Sequence, residues 1–249
     1  MCGRFVSVAS PELLVERFGL DGLVDGTGSG DGSSRDSGGL PDLGARYNVA
    51  PRAQIYAVTG EEGARTLETL RWGLVPFWAK ELKIGDRMIN ARAETVAEKP
   101  AYRNAFRKHR CLIPVTAFYE WERVPDRPKQ PWLFSPADGE PLAFAGLSET
   151  WRDPADDDAE PVRSAAIVTT TANDLMAPVH DRMPVILPES AWGEWLDPDN
   201  RDAGSLQELL VPANNDVLEK WPVSTRVNNA RNQGADLVKR VILPDGDGS

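Results

Sequence analysis

Cysteine stands at position 2, in Met1-Cys2-Gly3-Arg4-Phe5. Removal of Met1 leaves a thiol and an α-amine on adjacent carbons, a 1,2-aminothiol that no internal cysteine provides. The amine can condense with an aldehyde to an imine, and the thiol can then close a five-membered thiazolidine ring. The amine can also act as base for its own thiol, the arrangement of N-terminal nucleophiles. An α-amine of pKa about 8 and a thiol of about 8.5 both keep a reactive fraction at neutral pH. An idle terminal cysteine would have the same sequence, so the rest of the chain must decide between the two.

Four further segments place polar groups in apolar settings. Arg71-Trp72-Gly73-Leu74-Val75-Pro76-Phe77-Trp78 reads as a strand end running into a Gly/Pro-shaped loop with three large aromatics. In Met88-Ile89-Asn90-Ala91-Arg92-Ala93-Glu94, alternate residues of an extended segment put Asn90, Arg92 and Glu94 on one side. Phe118-Tyr119-Glu120-Trp121-Glu122 sets Glu120 between aromatics. Desolvation there would raise its pKa and suit it to donate a proton near neutrality, whereas a strand glutamate facing solvent would do nothing of the kind. Ala177-Pro178-Val179-His180-Asp181-Arg182-Met183-Pro184 carries His180 in a Pro-bounded loop. Asn90 could equally satisfy backbone groups in a turn, and Cys111, in Cys111-Leu112-Ile113-Pro114-Val115, reads as a buried structural cysteine.

The elements that must position these groups are short. Strand-like runs recur at 53–58, 66–72, 111–115, 117–122, 131–134, 141–147, 164–170 and 183–187. Ser10, Pro11 and Gly19 bracket a helix as cap, first residue and stop. Further helices are expected at 98–109, with Tyr102 and Phe106 on one face, and at 189–196 and 203–210. Many short strands without regular βαβ alternation predict one α+β domain. Residues 21–45, rich in Gly, Ser and Asp, and the acidic stretch 152–163 read as loops.

The 249 residues, 41% of them hydrophobic, suffice for a substantial core. No apolar run approaches the roughly 20 residues of a membrane span, and no signal-peptide core follows the start. Two cysteines make no disulfide framework, which predicts a reducing, cytoplasmic setting, and no metal-ligand spacing occurs. The net charge of −10 is concentrated: 21–45 carries −4, 152–163 carries −3, and 197–202 and the tail carry −2 each. The remainder is near neutral, and 87–110 holds seven Lys/Arg against Glu94 and Glu98, enough for a local phosphate-binding face.

In chain order, MCGRF, RYNVAP at 46–51, RWGLVPFW at 71–78, INARAET at 89–95, CLIPVTAFYEW at 111–121, HDRMPVIL at 180–187 and PVSTRVNNARNQG at 222–234 resemble the SOS response-associated peptidase (SRAP) family. The resemblance implies a single domain over 2–242 with a β-rich, barrel-like core, short peripheral helices and a separate acidic tail, 243–249. It implies a sensor of abasic sites in single-stranded DNA, localised at damaged DNA in the nucleoid, with no cofactor, metal or membrane. Cys2 would crosslink to the ring-opened deoxyribose as a thiazolidine. Asn90 would position its amine, Glu120 would transfer protons, and His180 would assist ring opening. Arg4, Asn48, Pro51, Arg92 and Arg182 would contact DNA, and Trp78 would stack on a base. Many relatives have a second Trp after that position, where this chain has Ala79. The family is also credited with autocatalytic removal of its first methionine and with lyase-like chemistry. An N-terminal-cysteine amidotransferase or peptidase, or a non-catalytic single-strand binder, are the competing readings.

Overall fold

The alternation of Phe118 and Tyr119 separates two cores, and the rest of the fold is arranged about them. Our computed structural model describes residues 2–23, 40–61, 63–123 and 128–243. Met1, most of the expected 21–45 loop and nearly all of the acidic tail lie outside the described residues. The elements in order are β1 (Phe5–Ser7), α1 (Pro11–Phe18), β2 (Gly22–Leu23), β3 (Arg46–Val49), β4 (Gln54–Glu61), β5 (Ala64–Trp72), β6 (Asn90–Arg92), α2 (Arg103–Lys108) and β7 (Arg110–Val115). There follow β8 (Ala117–Glu122), β9 (Gln130–Pro136), β10 (Leu142–Trp151), β11 (Val162–Thr171), β12 (Arg182–Pro184), α3 (Glu189–Leu196), α4 (Ala203–Glu208) and β13 (Leu218–Pro222).

One sheet runs β13-β9-β8-β1-β3, and the other runs β12-β11-β10-β7-β4-β5-β2 with β6 added beside β11. In the larger sheet β11 also pairs parallel with β5, Ser164 facing Arg71, which joins β5, β4, β7, β10 and β11 into a partly closed ring. Successive strand residues point to opposite faces. Phe118 therefore joins Cys2, Phe5, Trp72, Phe134 and Phe144 in the central core, while Tyr119 packs with Val6, Leu133 and Val227 on the other side. A third cluster, with Trp192 and Trp195, seats the helices against the outside of the ring. The α+β, β-rich, barrel-like architecture with short helices is as expected, and among the described residues no helix is long and apolar enough to cross a membrane.

The differences have local causes. The helix expected over 98–109 starts only at Arg103, because residues before it form turns closed by bonds such as Lys99 N–H to the Thr95 carbonyl (3.0 Å). The strand expected at 183–187 pairs only over Arg182–Pro184, with one isolated bridge beyond it from Phe144 to Ile186. Arg110, counted above with the basic face, is buried. Its guanidinium donates to the carbonyls of Phe106 (2.9 Å), Trp195 (2.6 Å), Asn200 (2.9 Å) and Asp197. Two of those carbonyls belong to the last turns of α2 and α3, where helix carbonyls lack intrahelical partners and the dipole favours a cation. Burial lowers its pKa to about 10, which still leaves it charged at neutral pH.

Candidate active site

The strand pairing that carries Cys2 into the central core starts at Phe5, opposite Phe118, and continues through the Tyr119 N–H, which donates to the Arg4 carbonyl (3.0 Å). Continued by one residue, that register brings Gly3 beside Glu120 and leaves Cys2 at the end of the core. Cys2 is fully buried, and the Asn90 side-chain amide donates to its carbonyl at 2.9 Å. Asn90 is itself held by β11, where it faces Ile167, and by the Tyr102 hydroxyl, which donates to its carbonyl (3.0 Å). Its Oδ1 is buried and accepts nothing among the described residues, so the amide that holds Cys2 keeps one unused acceptor.

Glu120 is 3% exposed, on the face of β8 shared with Phe118 and opposite Trp132 of β9. Burial raises its pKa above the usual carboxylate range, and nearby His180 pulls in the opposite direction. The same carboxylate adds to the effect of burial in pushing the Cys2 thiol up. Cys2 is therefore a thiol here, and an attack by its sulfur needs a base. His180 lies in the loop between β11 and β12, closed at its neck by Ala172 N–H to the Asp181 carbonyl (3.0 Å) and anchored by the Asn173 amide on the Ala213 carbonyl (3.0 Å). Its Nδ1 lies 2.9 Å from the Arg182 amide nitrogen and 3.0 Å from Asp181 Oδ1. The first contact uses Nδ1 as an acceptor and the second needs an Nδ1–H donor, so the one nitrogen serves one of them at a time. The Cys2 thiol ahead of β1, the Asn90 amide of β6, the buried Glu120 carboxyl of β8 and the His180 imidazole of one loop thus come together. Such a set can hold an amine, move a proton and polarise an oxygen.

The chain matches the family model described as SOS response associated peptidase (SRAP) over residues 1–230. It belongs to the SRAP family. It is 39% identical to the abasic site processing protein YoqW of Bacillus subtilis (strain 168) over 239 residues, 96% of this chain and 99% of that one. With the abasic site processing protein YedK of Escherichia coli (strain K12) it shares 29% identity over 248 residues, 97% and 100% of the two chains. A crystal structure of a Bacteroides thetaiotaomicron protein has the same fold, with a TM-score of 0.78 at 23% identity, covering 97% of this chain and 100% of the other.

The remaining SRAP motif residues fall into two groups. Trp78 and its neighbour Phe77 are 51% and 56% exposed on the loop after β5, and Arg92 is exposed on β6. Trp72 of the same motif is instead buried, its indole N–H donating to the Ile89 carbonyl (3.1 Å). Arg4, Asn48 and Arg182 are already engaged within the protein. Arg4 donates to Asn48 Oδ1 (2.8 Å) and the Val227 carbonyl (3.0 Å), and lies over the Trp121 ring. Asn48 is buried, and its amide reaches the carbonyls of Val227, Asn229 and Asn232 at 3.1–3.2 Å. Arg182 grips Glu94 with two nitrogens (2.5 and 2.9 Å) and the Thr169 carbonyl with one (2.6 Å). Glu94 sits in a turn beyond the end of β6, so the side it shares with Asn90 and Arg92 is not that of one strand. Pro51 is half-buried in the turn before β4.

Sequence reasoning missed two residues of this neighbourhood and, outside the ring, the burial of Arg110. Tyr102, expected on a helix face, supports Asn90 from a turn. Arg110 carried no signal of burial beyond standing at the head of an apolar strand. Arg52 follows Pro51 with φ +76°, at a turn position where Gly or Asn is the usual choice. The Pro-Arg pair was the available clue.

Proposed function

We propose that this protein processes abasic sites in single-stranded DNA by joining its own Cys2 to the lesion as a thiazolidine. The observation that carries the reading is Cys2 held by Asn90 at the end of the core near the buried Glu120, whose pKa burial raises, in a chain of the SRAP family. Relatives named as abasic site processing proteins supply the substrate class. Hydrolysis of the Met1–Cys2 bond by the chain's own site frees the amine, and Asn90 Oδ1 is the acceptor that orients it.

The proton inventory then balances on one carboxyl. His180 assists opening of the deoxyribose and stabilises charge on its oxygen. The Cys2 amine adds to the aldehyde to give a carbinolamine. Glu120 gives its proton to the departing hydroxyl, and water leaves an iminium ion. The Cys2 thiol then adds to the iminium carbon as the Glu120 carboxylate takes up the S–H proton. The ring nitrogen ends neutral and Glu120 ends protonated, with one water lost overall. The raised pKa of Glu120 suits the first transfer, and the raised pKa of the thiol makes the second necessary. Exposed Trp78 and Arg92 provide stacking surface and charge for the strand.

The test is a denaturing gel of the protein with an abasic single-stranded oligonucleotide, run beside a peptide panel. A heat-stable adduct is expected from wild type and Cys111→Ser and none from Cys2→Ala. An equal, equally lasting adduct from Cys2→Ala would refute the mechanism. Peptide cleavage without an adduct would favour a peptidase, and binding without either would favour a passive single-strand binder. Protein made in a cell-free system without methionine aminopeptidase is expected to lack Met1 by intact mass, and active protein retaining Met1 would remove the aminothiol from the scheme.

A further inference from the structure

We infer that Arg52 is a phosphate contact for single-stranded DNA, held outward by a turn whose backbone favours glycine. The inference rests on the reading of the site given under Proposed function. It starts from the turn Ala50-Pro51-Arg52-Ala53, closed by the Ala53 N–H on the Ala50 carbonyl (3.2 Å). Pro in the second place and a positive φ in the third are the pattern of a type II turn, which normally reserves the third place for Gly or Asn. Here that residue is Arg52, the one non-glycine residue with positive φ among the described residues. A Cβ is disfavoured in that conformation, and such strain persists only where the surroundings fix it.

The backbone is fixed on both sides. The Arg52 N–H donates to the Trp72 carbonyl (2.8 Å), and the Trp72 N–H donates to the Ala53 carbonyl (2.9 Å). The side chain gains little from its conformation. It is 69% exposed, and its nearest carboxylate oxygen, Asp86 Oδ2, lies 3.8 Å away, beyond hydrogen-bond reach. Asp86 Oδ1 is held by Arg71 at 2.5 Å, so two guanidinium groups share one carboxylate and the cluster keeps a positive charge. Among the described residues the side chain has only this one long, shared ion pair, a small return for an arginine in a conformation that favours glycine.

Its place in the fold supplies the reason. The turn is bonded to Trp72, whose indole donates to the Ile89 carbonyl, one residue before Asn90. The exposed aromatics Phe77 and Trp78 sit on the loop that leaves the same tryptophan. Arg52 and that aromatic pair thus both depart from Trp72 beside the Asn90–Cys2 contact. Stacking surface and an outward guanidinium that leave the same buried tryptophan suit a base and a phosphodiester of one strand, for which arginine offers two parallel donors.

Glycine is the discriminating substitution, because it removes the charge while fitting the backbone. Fluorescence anisotropy with an unmodified oligothymidylate across a salt series is the measurement. Arg52→Gly is expected to melt at or above the wild-type temperature yet bind about fivefold more weakly, with the salt slope shallower by about 0.7, the share of one phosphate contact on a single strand. Arg52→Asn, neutral but tolerant of the conformation, should match it, and Arg52→Lys should keep the wild-type slope. Wild-type affinity and slope in both neutral variants would overturn the inference. Adduct formation by wild type on an abasic oligonucleotide is scored in parallel. Failure there with weakened binding by Arg52→Gly sinks the crosslinking reading alone. Adduct formation with unaltered binding by the neutral variants sinks the Arg52 inference alone.

Discussion

Replacing Glu120 by Gln preserves the size of the side chain and removes its titrating proton, and the structure predicts opposite effects on stability and on chemistry. The carboxyl is buried between Phe118 and Trp132, and burial holds its pKa above the usual range. The folded protein therefore binds this proton more tightly than the unfolded chain does. Below the unfolded carboxylate pKa of about 4.3 the group is protonated in both states and contributes no penalty. As pH rises through that value the unfolded chain ionises first, and folding is penalised until the folded pKa is passed and the penalty is complete. Glutamine has no such penalty. Glu120→Gln should thus equal wild type in stability at pH 4 and exceed it at pH 8. Adduct formation should slow by about 10²-fold, or about 2.7 kcal/mol in the barrier, the lower end of what a positioned acid–base group supplies. Thermal melts across pH 4–8 and single-turnover gels with an abasic oligonucleotide read the two effects, with binding of an unreactive strand as control. Equal adduct rates would reduce Glu120 to a buried strand residue. A variant less stable than wild type at pH 8 would mean that the folded protein favours the carboxylate, contrary to the burial argument.

His180→Ala is expected to slow reaction with the closed deoxyribose more than with a simple aldehyde, which needs no ring opening, and equal losses in parallel time courses would remove that role. Arg110→Met should lower stability by about 3 kcal/mol or more, because it strips charge-assisted donors from four carbonyls. Chemical denaturation checks this, while the adduct rate of the folded fraction should hold. Trp78→Ala, at a half-exposed position, should leave the melting temperature alone and weaken single-strand binding by about 1 kcal/mol, or roughly fivefold, in anisotropy titrations.

The sequence made the strands that alternate over a core legible, and those that draw their pairing from distant chain illegible. The runs around Ile55, Leu70, Leu112 and Phe144 stand out because each supplies several apolar residues to a ring wall. β1, β3 and β13 are short, and their partners lie far away in sequence, so local pattern carries little of their stability. The convergence of Cys2, Asn90, Glu120 and His180 was read from residue types and family motifs, since no local spacing links positions 2, 90, 120 and 180. Charge was the least legible property. Arg4, Arg110 and Arg182 look alike in the sequence, yet one grips an asparagine, one a set of carbonyls and one a carboxylate. A basic count cannot distinguish a cation facing solvent from one already held.

The bonds from Arg4 and Asn48 to the Val227–Asn232 loop also set a schedule for synthesis. Arg4 and the Val227 carbonyl it reaches are separated by 223 residues. At about 5–20 residues per second, a ribosome needs about 11–45 s to deliver the second after the first. Throughout that interval Arg4 and Asn48 lack the carbonyls of that loop, while β3 and β8, the pairing partners of β1, have already been made. Any polypeptide released before that loop emerges keeps its leading strand without its clamp. Completion of the amino-terminal end is thus a late event in translation, governed by residues almost a full chain length downstream.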